Sequence, residues 1–256
     1  QETRWGPLRK GQLPGNLMAE EILDPERPIR ALFVEAGNPV LSIAGEQKIR
    51  TALDSLDLLV SVDIYRNATG ELADYVLPAA DAFERQDLNL NGLGLQYQPW
   101  VQWTDRVVKP QAERREEWWI YGRLCQEMGF ESILDDDGRA VDEKLWSKFD
   151  HMLHTRGNSF ERLQAEPRGI QLDNAAPGKF FDNHIQTEDR RIDCCPRAFA
   201  AALDRCEEIF EDLKARSGGF LLITRRDKYM HNSWYANVER LKPKHHDRTF
   251  VYMNSE

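Results

Sequence analysis

At 256 residues and 41% hydrophobic content, the chain is long enough for one large or two small domains with real cores, and no apolar run reaches the ~18 residues of a membrane span. A net charge of −9 disfavours the basic surface that nucleic-acid backbones require, so any nucleotide bound here is expected to be a small cofactor. Cys125, Cys194, Cys195 and Cys206 contain no CxxC pair, which argues against a zinc site or a disulfide framework and for structural thiols in a reducing compartment. That compartment is read as the cytoplasm, with the periplasm left open. The chain has no opening signal peptide, begins at Gln1 and closes on the strand-like TFVYMNSE, so it reads as cut at both ends.

Residues 1–29 carry Trp5-Gly6-Pro7, Pro14-Gly15-Asn16 and the prolines Pro25 and Pro28, a density of breakers that predicts an irregular lead-in. Only Leu17 to Leu23 has room for two helical turns. From Arg30 to Pro78 the pattern becomes strand, helix, strand. An apolar run, Ala31 to Val34, stops at Gly37-Asn38-Pro39. A second, Leu58 to Val62, stops at Asp63 and the polar Asn67, Thr69 and Gly70. Between them Ile49, Leu53 and Leu56 recur at spacings of four and three and define one apolar helical face. A unit this short predicts parallel strands joined by a right-handed crossover, with both strand ends on one sheet edge, where ligands of open α/β sheets bind. Gly37 lets backbone approach a ligand, and Asp63 offers two acceptor oxygens to the N–H or O–H groups of a base or sugar. Ala73 to Leu77, ending at Pro78, predicts a third strand. Asp74 reads as a solvated strand residue, and Asp81 and Glu84 as loop carboxylates that could face the same edge.

Three pieces in this order, G-N-P at 37–39, V-D-I-Y-x-N-A-T at 62–69 and A-D-Y-V-L-P-A at 73–79, resemble one of the two Rossmann-like domains of the molybdopterin oxidoreductases. That group includes formate dehydrogenases, nitrate reductases and dimethyl sulfoxide reductase. The resemblance implies a molybdenum ion held between two pterin guanine dinucleotides, with the G-N-P turn and the Asp four residues before a Thr or Asn lining one guanosine pocket. Carried over by position, this marks Gly37, Asn38, Pro39, Asp63 and Asn67 as cofactor-binding.

Phe83 to Trp103 is rich in Asn, Gly and Gln and reads as too irregular for a core element. Many family members have E-x-x-G-T-x-x-N here, followed by an Arg and a Gln. This chain keeps Glu84, Asn91 and Gln102 but has Asp87-Leu88 in place of Gly-Thr and Pro99-Trp100 where the Arg is expected, so no cofactor role is carried to this loop. Trp100 and Trp103 read as packing residues. Glu113 to Met128 predicts a helix with Trp118, Tyr121, Cys125 and Met128 as its stripe, Ile120 and Leu124 widening it, Glu116 and Glu117 near its start and Gly129 as its cap.

Asp135-Asp136-Asp137-Gly138 lacks the alternating ligands and the twelfth-position Glu of a calcium loop and reads as a solvated turn. Val141, Leu145, Phe149 and Met152 predict a helix, Phe160 with Leu163 a shorter one. His151 and His154 read as surface histidines, with no matching carboxylate or thiolate nearby. Glu166 to Pro196 reads as extended chain. Phe199, Leu203, Cys206, Phe210 and Leu213 predict an amphipathic helix ended by Ser217-Gly218-Gly219.

Phe220 to Ile223 has a buried-strand pattern and leads into Thr224-Arg225-Arg226, then His231-Asn232-Ser233-Trp234 and Asn237. This resembles the opening of the family's C-terminal β-barrel, where a strand, an Arg turn and a polar loop lie over the dithiolene and pterin. The guanidiniums suit pyrophosphate oxygens through a bidentate fork, and the hydroxyl and amide groups suit the pterin edge. Thr224, Arg225, Arg226, His231 and Ser233 join the cofactor-binding set on that resemblance.

The expected architecture is α/β: a Rossmann-like parallel sheet flanked by helices at 1–133, a helical and extended connector at 134–217, and the first strands of a β-barrel at 218–256. The resemblance implies a C-terminal piece of a molybdenum enzyme that performs two-electron or oxygen-atom transfer. The metal ligand, and any iron–sulfur centre, would lie upstream, so no catalytic residue or metal ligand is named within this chain. Isolated, it is expected to be inactive and to hold neither molybdenum nor iron. Its expected partners are the remaining N-terminal domains and an electron-transfer subunit. The rival reading is a self-contained α/β module that binds a nucleotide or a protein without redox activity, although neither G-x-G-x-x-G nor a P-loop follows any strand.

Overall fold

Alternating and β-branched apolar residues build the sheet. The computed structural model describes residues 2–3, 6–7, 12–89, 96, 98–154, 157–172, 179, 182, 184–185, 187–195, 197–216, 218–220, 222–226, 228–229, 231–242 and 251–253. Its strands are β1 Glu2–Thr3, β2 Gly6–Pro7, β3 Ala31–Glu35, β4 Leu58–Asp63, β5 Tyr75–Pro78, β6 Asp87–Leu88, β7 Trp100–Val101, β8 Trp103–Thr104 and β9 Ile170–Gln171. Its helices are α1 Met18–Ile22, α2 Pro39–Ser42, α3 Glu46–Asp54, α4 Glu117–Glu127, α5 Asp142–His154, α6 Phe160–Ala165 and α7 Arg197–Ala215.

β3, β4 and β5 form a three-stranded parallel sheet in that order, with Ala31 opposite Leu58, Glu35 opposite Val62, and Asp63 opposite Pro78. The predicted strand–helix–strand unit and the third strand are therefore present. One sheet face carries Val34 and Leu59, which pack against Ala19 and Ile22 of α1 and Ile49, Ala52 and Leu53 of α3. The other carries Val60 and Val62, which with Ala79 pack against Ile120 of α4. Burying each such aliphatic side chain contributes roughly 1.5–3 kcal/mol, so the two faces hold both helices to the sheet.

The α4 stripe differs from expectation. Ile120, with Trp119 and Leu124 beside it, faces the sheet, while Met128 is exposed. Gly122 explains the choice: a Cβ there would sit 2.8 Å from Leu134 Cγ, so the neighbouring chain packs directly onto the helix backbone. Asp74 is also more than a solvated residue, because its Oδ2 accepts from the Leu59 amide at 2.7 Å and caps the start of the β4–β5 pairing.

The chain divides into two compact units. The first comprises residues 1–88, 103–167 and 226–256, and the second 89–102 and 168–225. In the first unit Trp103, expected to pack, does so: its ring lies 4.9 Å from Trp146 and 5.2 Å from Phe160, edge-on to both. His154 is exposed and lies 3.1 Å from Asp150, so a carboxylate does stand near this histidine pair, one helical turn away. Among the described residues no three His, Cys, Asp or Glu side chains converge as a metal site, and no helix is long and apolar enough to cross a membrane.

In the second unit two residues of the stretch expected to be irregular, Trp100 and Val101, form β7, which pairs antiparallel with β9 and buries Val101 and Ile170. Gly169 makes this pairing fit, with φ +76° and space for no Cβ, which would lie 2.4 Å from Val101 O. α7 forms as predicted, but its apolar positions Phe199, Leu203, Phe210 and Leu213 are exposed. Cys194, Cys195 and Cys206 are also exposed, which corrects their reading as structural thiols.

Two strand expectations fail. Residues 222–226 form no strand, and Phe220, Leu222 and Ile223 are exposed where a buried barrel strand was expected. Of TFVYMNSE, residues 251–253 form no strand and the rest lies outside the described residues.

Candidate functional site at the carboxyl edge of the parallel sheet

β3 and β4 end side by side. Past β3 the chain reverses through Ala36, held at φ 46° with its N–H donated to Val62 O at 2.9 Å. An alanine in this left-handed region costs roughly 1–2 kcal/mol. Gly37, Asn38 and Pro39 follow, with Pro39 at the first position of α2, where its missing N–H costs nothing.

The side chain that joins the two strand ends is Asn67. It is only 7% exposed, and its Nδ2 donates to Gly37 O at 3.2 Å and to Asp63 Oδ2 at 2.9 Å. Its Oδ1 accepts from the amides of Thr69 at 3.0 Å and Gly70 at 3.1 Å. These four bonds use the full capacity of an amide side chain. Asn67, a candidate ligand contact in the sequence, is therefore spent inside the protein. It ties the Gly37 turn to Asp63 and folds the 67–70 turn.

Asp63 keeps capacity. Its Oδ1 accepts from the Tyr65 amide at 3.0 Å and its Oδ2 from Asn67. Each oxygen thus retains one acceptor position, and the partly exposed carboxylate can receive two further donors in a parallel pair. Capping the turn and receiving a ligand are compatible roles. Asn38, 6% exposed, accepts at Oδ1 from Thr69 Oγ1 at 2.9 Å, and its Nδ2 has no hydrogen-bond partner among the described residues. The edge therefore presents one amide donor and one carboxylate, both held by internal bonds.

The structure brings Gly37, Asn38, Pro39, Asp63 and Asn67 together. Thr224 and Arg225 fall in the second unit, and Arg226, His231 and Ser233 in the first. Thr224, Arg225, Arg226 and His231 are exposed. Residues 231–237 form successive turns, with the His231 ring 5.6 Å from that of Trp234 and the Trp234 amide donated to His231 O at 3.0 Å.

Of the loop carboxylates, Glu84 is buried and pairs with Arg114 at 2.9 Å while accepting from the Asp81 amide, so it braces the loop. Glu116, buried before α4, pairs with Arg106 and accepts from Trp118 Nε1 at 2.6 Å. Asn91 lies outside the described residues.

Residues 2–127 match the family model described as molybdopterin oxidoreductase. The chain is 33% identical over 118 residues to a probable oxidoreductase, YyaE, of Bacillus subtilis, covering 46% of this chain and 17% of that protein. It is 33% identical over 116 residues to the F420-dependent formate dehydrogenase subunit alpha of Methanocaldococcus jannaschii, covering 45% of this chain and 16% of that one. Among solved structures, acetylene hydratase from Pelobacter acetylenicus superposes with a TM-score of 0.51 at 24% identity, over 73% of this chain and 24% of that one. The chain thus spans less than a quarter of each of these proteins.

Proposed function

We propose that the chain, whose residues 2–127 match the molybdopterin oxidoreductase family model, is part of a molybdenum-dependent oxidoreductase and forms one wall of the site for a molybdopterin guanine dinucleotide. The observation that carries this reading is Asp63, whose two oxygens each keep one acceptor position after their internal bonds. Guanine presents N1–H and N2–H side by side, and a carboxylate with one free position on each oxygen accepts both. Adenine has no such pair. Asn38 Nδ2 adds a donor for an acceptor atom of the same nucleotide, and the Gly37 to Pro39 turn carries backbone past the ribose and phosphate.

In this proposal Arg225 and Arg226 hold pyrophosphate oxygens, and Thr224, His231 and Ser233 serve the pterin edge. Residues 1–133 form the Rossmann-like half, 134–217 the connector and 218–256 the start of the barrel, whose strands would form with segments outside this chain. The bound group supplies the two-electron or oxygen-atom transfer chemistry, and the chain's own residues bind and orient it. The metal ligand and any iron–sulfur centre belong to the remaining domains. An electron-transfer subunit is the further partner, and the isolated chain is inactive. The similar proteins include a formate dehydrogenase subunit and an acetylene hydratase, a spread that supports a shared cofactor class more than any one substrate. The rival reading of a self-contained binding module draws no support from any of these matches.

The test is Asp63→Asn in the intact enzyme, with molybdenum and acid-released GMP measured per protein. Each hydrogen bond to the charged acceptor is worth on the order of 1.5–3 kcal/mol, so occupancy under limiting cofactor falls by tenfold or more. Unchanged occupancy would show that Asp63 only caps its turn.

A further inference from the structure

We infer that Thr69 is a positioning residue for nucleotide recognition, fixing the Asn38 amide so that its NH2 group, and not its oxygen, faces the ligand. This rests on the proposed nucleotide site and deepens it. Thr69 is fully buried at 0% exposure. Its Oγ1 receives the Val40 amide at 3.3 Å and lies 2.9 Å from Asn38 Oδ1. A hydroxyl has a single proton, and in a buried site that proton needs an acceptor. Asn38 Oδ1 supplies it. Turning the amide over would set NH2 against Thr69 Oγ1 and strand the buried hydroxyl proton, so the orientation with Nδ2 outward is selected. The chain runs Val40 N–H to Thr69 Oγ1, then Thr69 O–H to Asn38 Oδ1, and ends on the Asn38 NH2 group, which has no hydrogen-bond partner among the described residues although the residue as a whole is only 6% exposed.

Asn67 plays the matching part for Asp63. Its amide orientation is fixed independently by two backbone donors, Thr69 N and Gly70 N, which forces its NH2 toward Asp63 Oδ2 and Gly37 O. The N-A-T tripeptide at 67–69 thus positions both groups that meet the ligand and touches none itself. Asn38 donates and Asp63 accepts. The ligand class this pair selects is a purine nucleotide that offers adjacent N–H donors to Asp63 and an acceptor atom to Asn38.

The experiment follows two resonances of the 256-residue chain during titration with GMP: the Asn38 side-chain NH2 and the Tyr65 amide that bonds Asp63. In the wild type both shift. In Thr69→Val the Asn38 response is lost and GMP affinity falls about fivefold, the loss of one neutral hydrogen bond, while the Tyr65 shift persists at saturation. Thr69→Ser, which keeps the hydroxyl, restores the Asn38 response.

A Thr69→Val chain that responds at both resonances like the wild type would overturn the positioning role and leave the nucleotide site standing. A wild-type chain in which GMP shifts neither resonance would overturn the site itself, and the positioning role with it. Should Thr69→Val lose the fold, Asn38→Asp decides. It preserves the acceptor for the Thr69 proton and removes the outward donor, so GMP affinity falls about fivefold if the inference holds, and unchanged affinity overturns it.

Discussion

Replacing Asn67 with alanine removes the side chain that bonds Gly37 O and Asp63 at once, and the cost can be worked from its bonds. Four hydrogen bonds are lost, at 3.2 Å to Gly37 O, 2.9 Å to Asp63, 3.0 Å from Thr69 N and 3.1 Å from Gly70 N. Asp63 is partly exposed and can turn to water, so its share is small. Thr69 and Gly70 are buried, and their amides lose their side-chain acceptor. Each buried polar group left unsatisfied costs about 1–3 kcal/mol, so the two amides alone imply about 2–6 kcal/mol. Losses above about 4–5 kcal/mol are rare for one substitution, which places the expected destabilisation at about 3–4 kcal/mol. Urea unfolding followed by tryptophan fluorescence measures the total. Hydrogen exchange at the Thr69 and Gly70 amides localises it, with protection falling there first. A loss below about 1 kcal/mol, or unchanged protection at both amides, would refute the claim that Asn67 is structural and return it to the set of ligand contacts.

Other outcomes follow from single observations. Ser61 sits at 0% exposure in β4 and its Oγ has no hydrogen-bond partner among the described residues, so Ser61→Ala is expected to raise stability by about 1 kcal/mol in urea unfolding; a loss would mean the hydroxyl has a partner. Ala36 at φ 46° predicts that Ala36→Gly is near neutral, relief of strain offsetting the greater freedom of the unfolded chain, while Ala36→Val costs about 1–3 kcal/mol. Burial pushes the Tyr121 hydroxyl up to about 12, with the hydrogen bond and charge of Glu35 and the charge of Glu117 adding to it. A folded pKa above the unfolded value of about 10 means this contribution is full below pH ~10 and declines as pH rises toward 12. Urea midpoints at about pH 8 and 11 should therefore differ by less in Tyr121→Phe than in the wild type.

The parallel unit was legible because its signals are local and redundant. Ile49 and Leu53 mark the buried helix face, two apolar runs mark adjacent strands, and turn residues mark where each stops. The grouping of Gly37, Asn38 and Asp63 follows from parallel topology alone. The division of labour within that group was not legible, because it depends on which amide atom faces which partner. Asn67 and Asn38 are the same residue type at neighbouring positions, yet one has all four of its bonds satisfied and the other keeps a free donor. Thr69 was visible only as part of a motif. Ala36 gave no signal, since alanine does not advertise a left-handed backbone. The α4 stripe was misjudged because Gly122 admits Leu134 against the helix backbone, a tertiary contact that periodicity does not encode. The pattern at 220–223 has the composition of a strand, but a strand needs a partner, and the described residues supply none.

The central claim is that Asp63 reads two adjacent donors on a purine, and the affinities of GMP, IMP and AMP for the 256-residue chain test it most directly. IMP keeps N1–H and lacks the N2 amino group, so it loses one bond to the carboxylate; AMP presents no such pair. With each charged bond worth on the order of 1.5–3 kcal/mol, isothermal titration should rank GMP at least tenfold tighter than IMP, with AMP weaker still. Asp63→Asn should compress the GMP-to-IMP ratio toward one. Equal affinity for GMP and IMP in the wild type, or a ratio unmoved by Asp63→Asn, would contradict the account.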